Sequence, residues 1–306
     1  MSPGGFAIVG PTASGKTGRA VALARAIGGE IISADSRQVY RGMDIGTGKD
    51  LEVYGNVPYH LIDICPAGYR YNLYEYVRDY TDVHADLVKR NVPEVLCGGT
   101  GMYVETVLNG ISLPPVPRDD TLRASLAGKS LGELTDMLKC YKTLRNNSDI
   151  DTVARATRAL EIALYYHNHP AEQELTRPHP RHYITVIGVD VDRETRRSRI
   201  TTRLRTRLDE GLIDEVRTLL ATGVAAEDLI YYGLEYKFVT LHVIGQMSFD
   251  EMFKRLETAI HQFAKRQMTW WRGMERRGHH INWLSSTLSD DEFVAAALDY
   301  RKSNPT

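Results

Sequence analysis

The sequence has few cysteines, and none is spaced for a metal site or a disulfide framework. The 306 residues include three, Cys65, Cys97 and Cys140, with no C-x-x-C pair. This set excludes zinc modules and disulfide-rich secreted folds, because both need more cysteines at closer spacing. We therefore expect three free, buried thiols in a protein of a reducing compartment.

The chain also lacks a net charge of either sign and any long apolar run. Its 38 lysines and arginines nearly balance 39 acids, so no overall field attracts nucleic acid, and such binding would need local patches. No apolar stretch approaches the roughly 20 residues of a membrane span. Residues 1–9 lack the basic and apolar regions of a signal peptide. These absences predict a cytoplasmic protein without membrane contact, and the 42% apolar content allows a sizeable core.

A phosphate-binding loop is present near the start of the chain. The apolar run 6–9 leads into a G-x-x-x-x-G-K-[ST] match, and a helical pattern follows it. The match comprises Gly10, Pro11, Thr12, Ala13, Ser14, Gly15, Lys16 and Thr17. In this context backbone N–H groups and a helix N-terminus surround phosphate oxygens. Lys16 would neutralise the outer phosphates, and the Thr17 hydroxyl could bind Mg²⁺.

Further apolar segments predict additional strands separated by helices. The segments lie at 30–36, 60–64, 93–97 and 183–190. This alternation predicts a parallel, doubly wound sheet with helices on both faces. Asp35 and Thr100 each follow a strand, so both should lie at the carboxyl edge of the sheet, where ligands bind in open α/β folds.

The middle of the chain interrupts this alternation. Three prolines in the run 113–117 predict a stiff connector, and residues 119–168 have helical patterns throughout. We predict an α/β, P-loop NTPase-like core built from 1–117 and 182–306. A small all-helical insertion domain would occupy 118–181.

Cationic side chains recur on three of the predicted helices. Asp151 could cap a helix at 152–166, where Arg155 and Arg158 share a face that would otherwise be an ordinary solvated surface. The helix after the strand at 183–190 carries an arginine stripe suited to phosphate. The stripe comprises Arg196, Arg199, Arg203 and Arg207. A long helix at 249–276 mixes cations with tryptophans, which suits RNA contact or, equally, a core helix with extended lysines.

Five blocks of the sequence together resemble the tRNA dimethylallyltransferase family. The blocks are 10–17, 35–47, 98–103, 155–161 and 264–270. They follow the family order over nearly the whole chain, and few other phosphate-loop enzymes combine the loop with an Asp-Ser block such as Asp35-Ser36. The resemblance implies transfer of a dimethylallyl group from dimethylallyl diphosphate to N6 of the adenosine 3′-adjacent to the anticodon, with release of pyrophosphate.

The resemblance also implies roles for individual residues. The loop at 10–17 would hold the diphosphate, with Mg²⁺ at Thr17. Asp35 would be the general base, Thr100 would lie beside the reacting atoms, and Arg203 would grip the diphosphate. The positions implied to contact tRNA are Asp35, Ser36, Arg37, Gln38, Thr100, Arg123, Arg155, Arg158, Lys265, Arg266 and Trp270. The implied partners are the anticodon stem-loop of tRNA and dimethylallyl diphosphate, bound by a monomer.

One departure from the family pattern and three alternative functions accompany this interpretation. The family often has a Gly-Tyr-Lys/Arg-Glu turn, whereas this chain has Gly233-Leu234-Glu235-Tyr236.

The alternatives are a prenyltransferase acting on free adenine nucleotide, a small-molecule kinase using ATP, and an RNA-binding protein with a degenerate phosphate loop. The basic insertion opposes the first, no recognisable base pocket or lid supports the second, and intact Lys16, Thr17 and Asp35 oppose the third.

Overall fold

The computed structural model describes residues 4–111, 116–144, 150–170, 172 and 184–304. The chain divides into two compact units. The core unit comprises Met1–Gly110 and Pro180–Thr306, and the helical unit comprises Ile111–His179. The predicted insertion boundaries at 118 and 181 stay a prediction, and the second of them lies outside the described residues.

A six-stranded parallel sheet forms the centre of the core unit. The strands are β1 (Gly5–Val9), β2 (Glu30–Ser33), β3 (Tyr40–Arg41), β4 (Tyr59–His60), β5 (Cys65–Pro66), β6 (Glu94–Gly98), β7 (Ile184–Asp190) and β8 (Ile281–Ser285). The sheet order is β4-β2-β6-β1-β7-β8, and all neighbours are parallel, whereas β3 and β5 pair with each other. Val9 pairs with Gly98 and Ser33 with Cys97, so β1, β2 and β6 end together at one edge.

Helices connect and cover these strands, which confirms the predicted α/β fold. In the core unit they are α1 (Lys16–Ile27), α2 (Leu73–Arg90), α3 (Gly101–Leu108), α7 (Arg193–Asp209), α8 (Leu212–Ala221), α9 (Ala226–Tyr232), α10 (Leu234–Val243), α11 (Phe249–Arg276) and α12 (Asp290–Ser303). In the helical unit they are α4 (Asp120–Ser125), α5 (Leu131–Lys139) and α6 (Val153–Asn168). Within the described ranges, none of the helices combines the length and apolarity needed to cross a bilayer.

Side-chain alternation along the strands places one apolar cluster on each face of the sheet. Phe6 and Ile8 of β1 pack with α1 and α12, through side chains such as Phe293. Ala7 and Val9 point to the opposite face, where α2, α3 and the end of α11 pack. Burial on both faces explains why these strands have continuous apolar sequences rather than alternating ones.

The predicted helix bounds agree closely with the structure in two places. The helix expected at 249–276 is α11. The helical spacing of apolar residues between Leu73 and Leu87 also predicts a helix at 72–91, which is α2. Its N-cap Asn72 forms a capping box with Glu75, and its C-cap Asn91 has left-handed backbone geometry.

Three local predictions were wrong. The strand expected at 60–64 ends at His60, because Leu61 and Asp63 adopt positive φ angles of 61° and 57°, which break an extended ladder. The helix expected to be capped by Asp151 begins one residue later, with Thr152 accepting the Arg155 N–H as N-cap. Cys65 and Cys97 are buried free thiols, but Cys140 is exposed.

Candidate active site

The loop at 10–15 joins β1 to α1, and we refer to this loop with the first turn of α1 as the cradle. Gly15, at φ 86°, is the N-cap of α1, and no side chain caps this helix or places an acid in its first turn. The first N–H groups of α1 are therefore left for another acceptor, and the helix dipole favours an anion. This start of the 12-residue helix α1 is compatible with a phosphate ligand, and the phosphate site stays a prediction.

Three cationic side chains converge beside this cradle. Lys16, Arg203 and Arg207 line a cavity of about 400 Å³ together with Thr12 and Thr17. Burial lowers the pKa of Lys16. Cys97 and Asp35 raise this pKa in opposition to burial, whereas the two arginines lower it further. Burial and the charge of Arg207 also lower the pKa of Arg203. Because neighbouring cations lower the pKa of both Lys16 and Arg203, an anion bound beside them would relieve the repulsion.

Two polar loops at the ends of β2 and β6 form the wall opposite. Asp35 lines the cavity, and its Oδ1 accepts the N–H of Arg37 at 2.9 Å. The Thr100 hydroxyl oxygen accepts the N–H of Ser36 at 3.0 Å, and the Thr100 N–H donates to the Ala34 carbonyl at 3.1 Å. These bonds hold the Asp35 loop against the Thr100 loop, so the carboxylate faces the same cavity as the cation cluster.

The neighbouring predicted tRNA positions have different surroundings. Arg37 lines the cavity and lies over the Tyr232 ring, 5.5 Å from its centroid. Gln38 is buried and bonded at both ends: its Oε1 accepts from the Ser33 hydroxyl at 3.0 Å, and its Nε2 donates to the Gly48 carbonyl at 3.3 Å. Gln38 therefore shapes the wall of the cavity rather than presenting a free amide.

The turn that departs from the family pattern is part of this cavity. Glu235 accepts from Arg207 at 3.2 Å, and burial raises the pKa of the Glu235 carboxyl. The Tyr236 hydroxyl donates to Glu215 at 2.6 Å. Glu215 also accepts the N–H groups of Asp44, Ile45 and Gly46 at 2.6 to 3.1 Å. A single carboxylate thus holds the loop after β3 and the turn that begins α10.

The long helix α11 supplies the last wall. Arg266 and Trp270 line the cavity, whereas Lys265 is exposed outside it. The Trp270 ring lies where a side chain at position 101 would begin: a Cβ there would be 2.1 Å from Trp270 Cδ1. Gly101 therefore allows the indole to reach the cavity. Gln267, which we did not single out from the sequence, also faces inward and is buried.

Three arginines of the α7 stripe, Arg199, Arg203 and Arg207, lie in two environments. Arg203 and Arg207 reach the cavity, and Arg207 is buried. Arg199 lines a second, more open depression on the outer side of the cradle, where Arg203 and Asp50 also lie. Ile200 and Leu204 are buried on the neighbouring face of α7, as their four-residue spacing predicts.

In the helical unit, two of the three predicted tRNA arginines are held by one buried carboxylate. Arg123 donates to Glu161 twice at 3.0 Å, and Arg158 pairs with Glu161 and with the Val116 carbonyl. Burial alone would raise the pKa of Glu161, but the bonds from both arginines lower it to about 2. Arg155 is exposed, and its ion-pair partner among the described residues is Asp151, four positions earlier, so it is the freest of the three for an outside phosphate.

The described residues contain no cluster of three histidines, cysteines or acids that could hold a metal ion by itself. Mg²⁺ is commonly bound through one or two protein oxygens together with substrate phosphates and water. Thr17 lines both the cavity and the outer depression. Its position fits a magnesium ion that arrives with a phosphate ligand.

Comparison with known proteins identifies similar sequences and folds. The chain matches the family model described as IPP transferase over residues 38–274 and the model described as isopentenyl transferase over residues 4–54. The tRNA dimethylallyltransferase 2 of Bacteroides fragilis is 58% identical over 293 residues, which cover 94% of this chain and 95% of that protein. A crystal structure of the tRNA isopentenylpyrophosphate transferase of Bacillus halodurans is 30% identical, with a TM-score of 0.71 and coverage of 98% and 96%. A eukaryotic dimethylallyltransferase acting on tRNA shares the fold, with a TM-score of 0.83 at 20% identity and coverage of 99% and 81%.

Proposed function

The chain belongs to the IPP transferase family, and we propose that it transfers the dimethylallyl group of dimethylallyl diphosphate to N6 of the tRNA adenosine 3′-adjacent to the anticodon. The prediction of a tRNA-prenylating enzyme is confirmed by this membership. The identity of the donor, the position of the modified base and the residue roles are our proposals.

The cradle and its cations would bind the donor. The diphosphate would accept from the uncapped N–H groups of α1, and Lys16 and Arg203 would contact its oxygens. As the C1–O bond of the donor breaks, charge grows on the departing pyrophosphate, and preorganised cations stabilise that charge. Thr17 would hold Mg²⁺ against the phosphate oxygens, where the ion supplies further neutralisation.

The opposite wall would bind and activate the acceptor base. N6 of adenine would form a bond to C1 as the pyrophosphate leaves, and Asp35 would accept the N6 proton. A positioned carboxylate contributes roughly 10²–10⁴-fold to such a step. The base must leave its stack to enter the cavity, and in a single-stranded loop that costs least. Trp270 and Arg266 are at the cavity wall where they would contact the entering nucleotide.

One observation carries this proposal: Arg203, Asp35 and Thr100 line a single cavity with three residues of the phosphate loop, namely Thr12, Lys16 and Thr17. A kinase needs phosphate contacts and an acceptor site as well, but the carboxylate opposite the cradle suits deprotonation of an amine acceptor. We further propose that the protein acts as a monomer in the cytoplasm, where its tRNA substrate resides.

The test is an incubation of the purified protein with labelled dimethylallyl diphosphate and either tRNA or AMP, with and without Mg²⁺. We expect N6-dimethylallyladenosine in nuclease digests of the tRNA, no labelled AMP, and loss of transfer on chelation. Labelled AMP with unlabelled tRNA would instead identify a free-nucleotide prenyltransferase. Phosphate transfer from ATP to a small molecule would identify a kinase.

A further inference from the structure

Gln267 joins two elements that would hold different substrates. Its Oε1 accepts the N–H of Thr12 in the phosphate loop at 2.8 Å, and its Nε2 donates to the Gly99 carbonyl at 2.9 Å. Both bonds run between segments more than 160 residues apart in sequence, at separations of 255 and 168. Gln267 is 6% exposed; its bond to Gly99 is buried, and its bond to Thr12 is partly buried.

The backbone around Gln267 leaves room for this amide. A Cβ at Gly99 would lie 2.3 Å from Gln267 Nε2, so only glycine permits the contact. On α11, Gln267 lies two helical turns after Ile260 and one turn after Ala264, which are both buried. It lies one turn before Trp271, which is fully buried. A polar residue at this register of α11 would be costly to bury without two partners, and both are present.

The two bonds connect the donor side of the cavity to the acceptor side. Thr12 belongs to the diphosphate cradle. Gly99 precedes Thr100, which holds the Asp35 loop through Ser36 and Ala34. Among the described side chains that line the cavity, Gln267 bonds to both of these backbone segments.

We propose that Gln267 is a positioning residue that sets the distance between the diphosphate cradle and the Asp35–Thr100 wall. This inference rests on the proposed prenyl transfer. It assigns to Gln267 the alignment of the two substrates, and not the affinity for either one. Misplacement of reacting groups by about 1 Å costs roughly 100-fold in rate, so loss of the amide should slow transfer far more than it weakens binding.

The test compares Gln267→Met with Gln262→Met. Methionine keeps the length and volume of the side chain but makes neither hydrogen bond. Gln262 is an exposed glutamine on the same helix, so its variant controls for the substitution itself. For each protein we would measure the dissociation constants of dimethylallyl diphosphate and of tRNA separately, the thermal midpoint, and the single-turnover rate with both substrates saturating.

We expect Gln267→Met to bind each substrate within about threefold of wild type and to transfer roughly 100-fold more slowly, with Gln262→Met unchanged. An unchanged transfer rate would overturn the inference, as would a loss of affinity for both substrates as large as the loss in rate. If Gln267→Met does not fold, the same measurements are made on Gln267→Glu. It keeps the acceptor for Thr12 but cannot donate to Gly99, so full activity at saturation would refute the role. Inactive wild-type protein would refute the proposed function instead.

Discussion

Arg203 and Asp50 form an ion pair at 2.7 Å beside the phosphate loop. Both line the depression on the outer side of the cradle, together with Lys16 and Thr17. The guanidinium that we propose for the diphosphate therefore already has a carboxylate partner. A phosphate that binds Arg203 must compete with that carboxylate or share the guanidinium with it.

Asp50→Asn should strengthen the binding of pyrophosphate by about threefold, because a partly exposed ion pair contributes up to about 1 kcal/mol. Asp50 has φ 47°, and asparagine tolerates left-handed geometry well, so the backbone is not strained. Isothermal titration with inorganic pyrophosphate measures the change. Asp214→Asn, which removes an exposed partner of Arg217 on α8, is the matched control. Weaker binding by Asp50→Asn would mean that Asp50 helps to hold the anion or its metal.

Asp35→Asn should reduce the turnover of tRNA roughly 10²–10⁴-fold with little change in tRNA affinity. Asparagine retains an oxygen for the Arg37 N–H and so preserves the loop, but it cannot accept the N6 proton. Steady-state kinetics and filter binding of tRNA provide the two measurements. Turnover close to that of wild type would remove Asp35 as the base.

Glu161 should make the stability of the helical unit depend on pH in the acid range. Its pKa falls from 4.5 to about 2 in the folded protein, so its contribution is fully present above about pH 4.5 and is lost as the pH falls through about 2. A shift of this size corresponds to on the order of 3 kcal/mol.

The measurement is hydrogen exchange in α6 for wild type and Glu161→Gln. We expect a clear difference in local unfolding free energy at pH 6 that shrinks steadily toward pH 2. Asp136→Asn, in an exposed pair with Lys139 on α5, should show no such difference. A difference that persists at low pH would contradict the assignment of the shift to the arginine bonds.

Arg155→Ala should raise the KM for tRNA several-fold and the KM for dimethylallyl diphosphate by less. It should also reduce the slope of tRNA affinity against salt concentration by the amount expected for loss of about one phosphate contact. Arg123→Ala should instead destabilise the helical unit, because it removes an ion-pair partner of the buried Glu161 carboxylate. Binding titrations at several salt concentrations, paired with thermal unfolding, separate the two effects. Equal effects of Arg155→Ala on both substrates would exclude a tRNA-specific role.

The parts of the fold that follow from local chemistry were predictable. Strand, glycine-bounded loop and uncapped helix identify the cradle at 10–17, and the parallel topology places Asp35 and Thr100 at the same edge. The apolar spacing of α11 gave its full length, from Phe249 to Arg276. These features depend on periodicity and loop geometry, which a sequence displays directly.

The parts that depend on distant partners were not predictable from local patterns. Arg155 and Arg158 have the sequence of a solvated basic surface, and only the fold brings Arg123 to the Glu161 that also binds Arg158. The short strand at β4 ends where Leu61 and Asp63 take left-handed geometry, although the segment is apolar enough to continue. Gln267 had one available signal: it is a polar residue in register with Ile260, Ala264 and Trp271 on the buried stripe of α11.

The indole of Trp270 occupies the space that any side chain at position 101 would require. The residue allowed at position 101 therefore depends on the residue at position 270, although the two positions are far apart in the chain. A lineage that acquires alanine at position 101 must first shrink or rotate the aromatic ring, and a lineage that loses the ring is free to drift at the glycine. Distant relatives with a residue other than glycine at position 101 should consequently also lack the tryptophan at position 270.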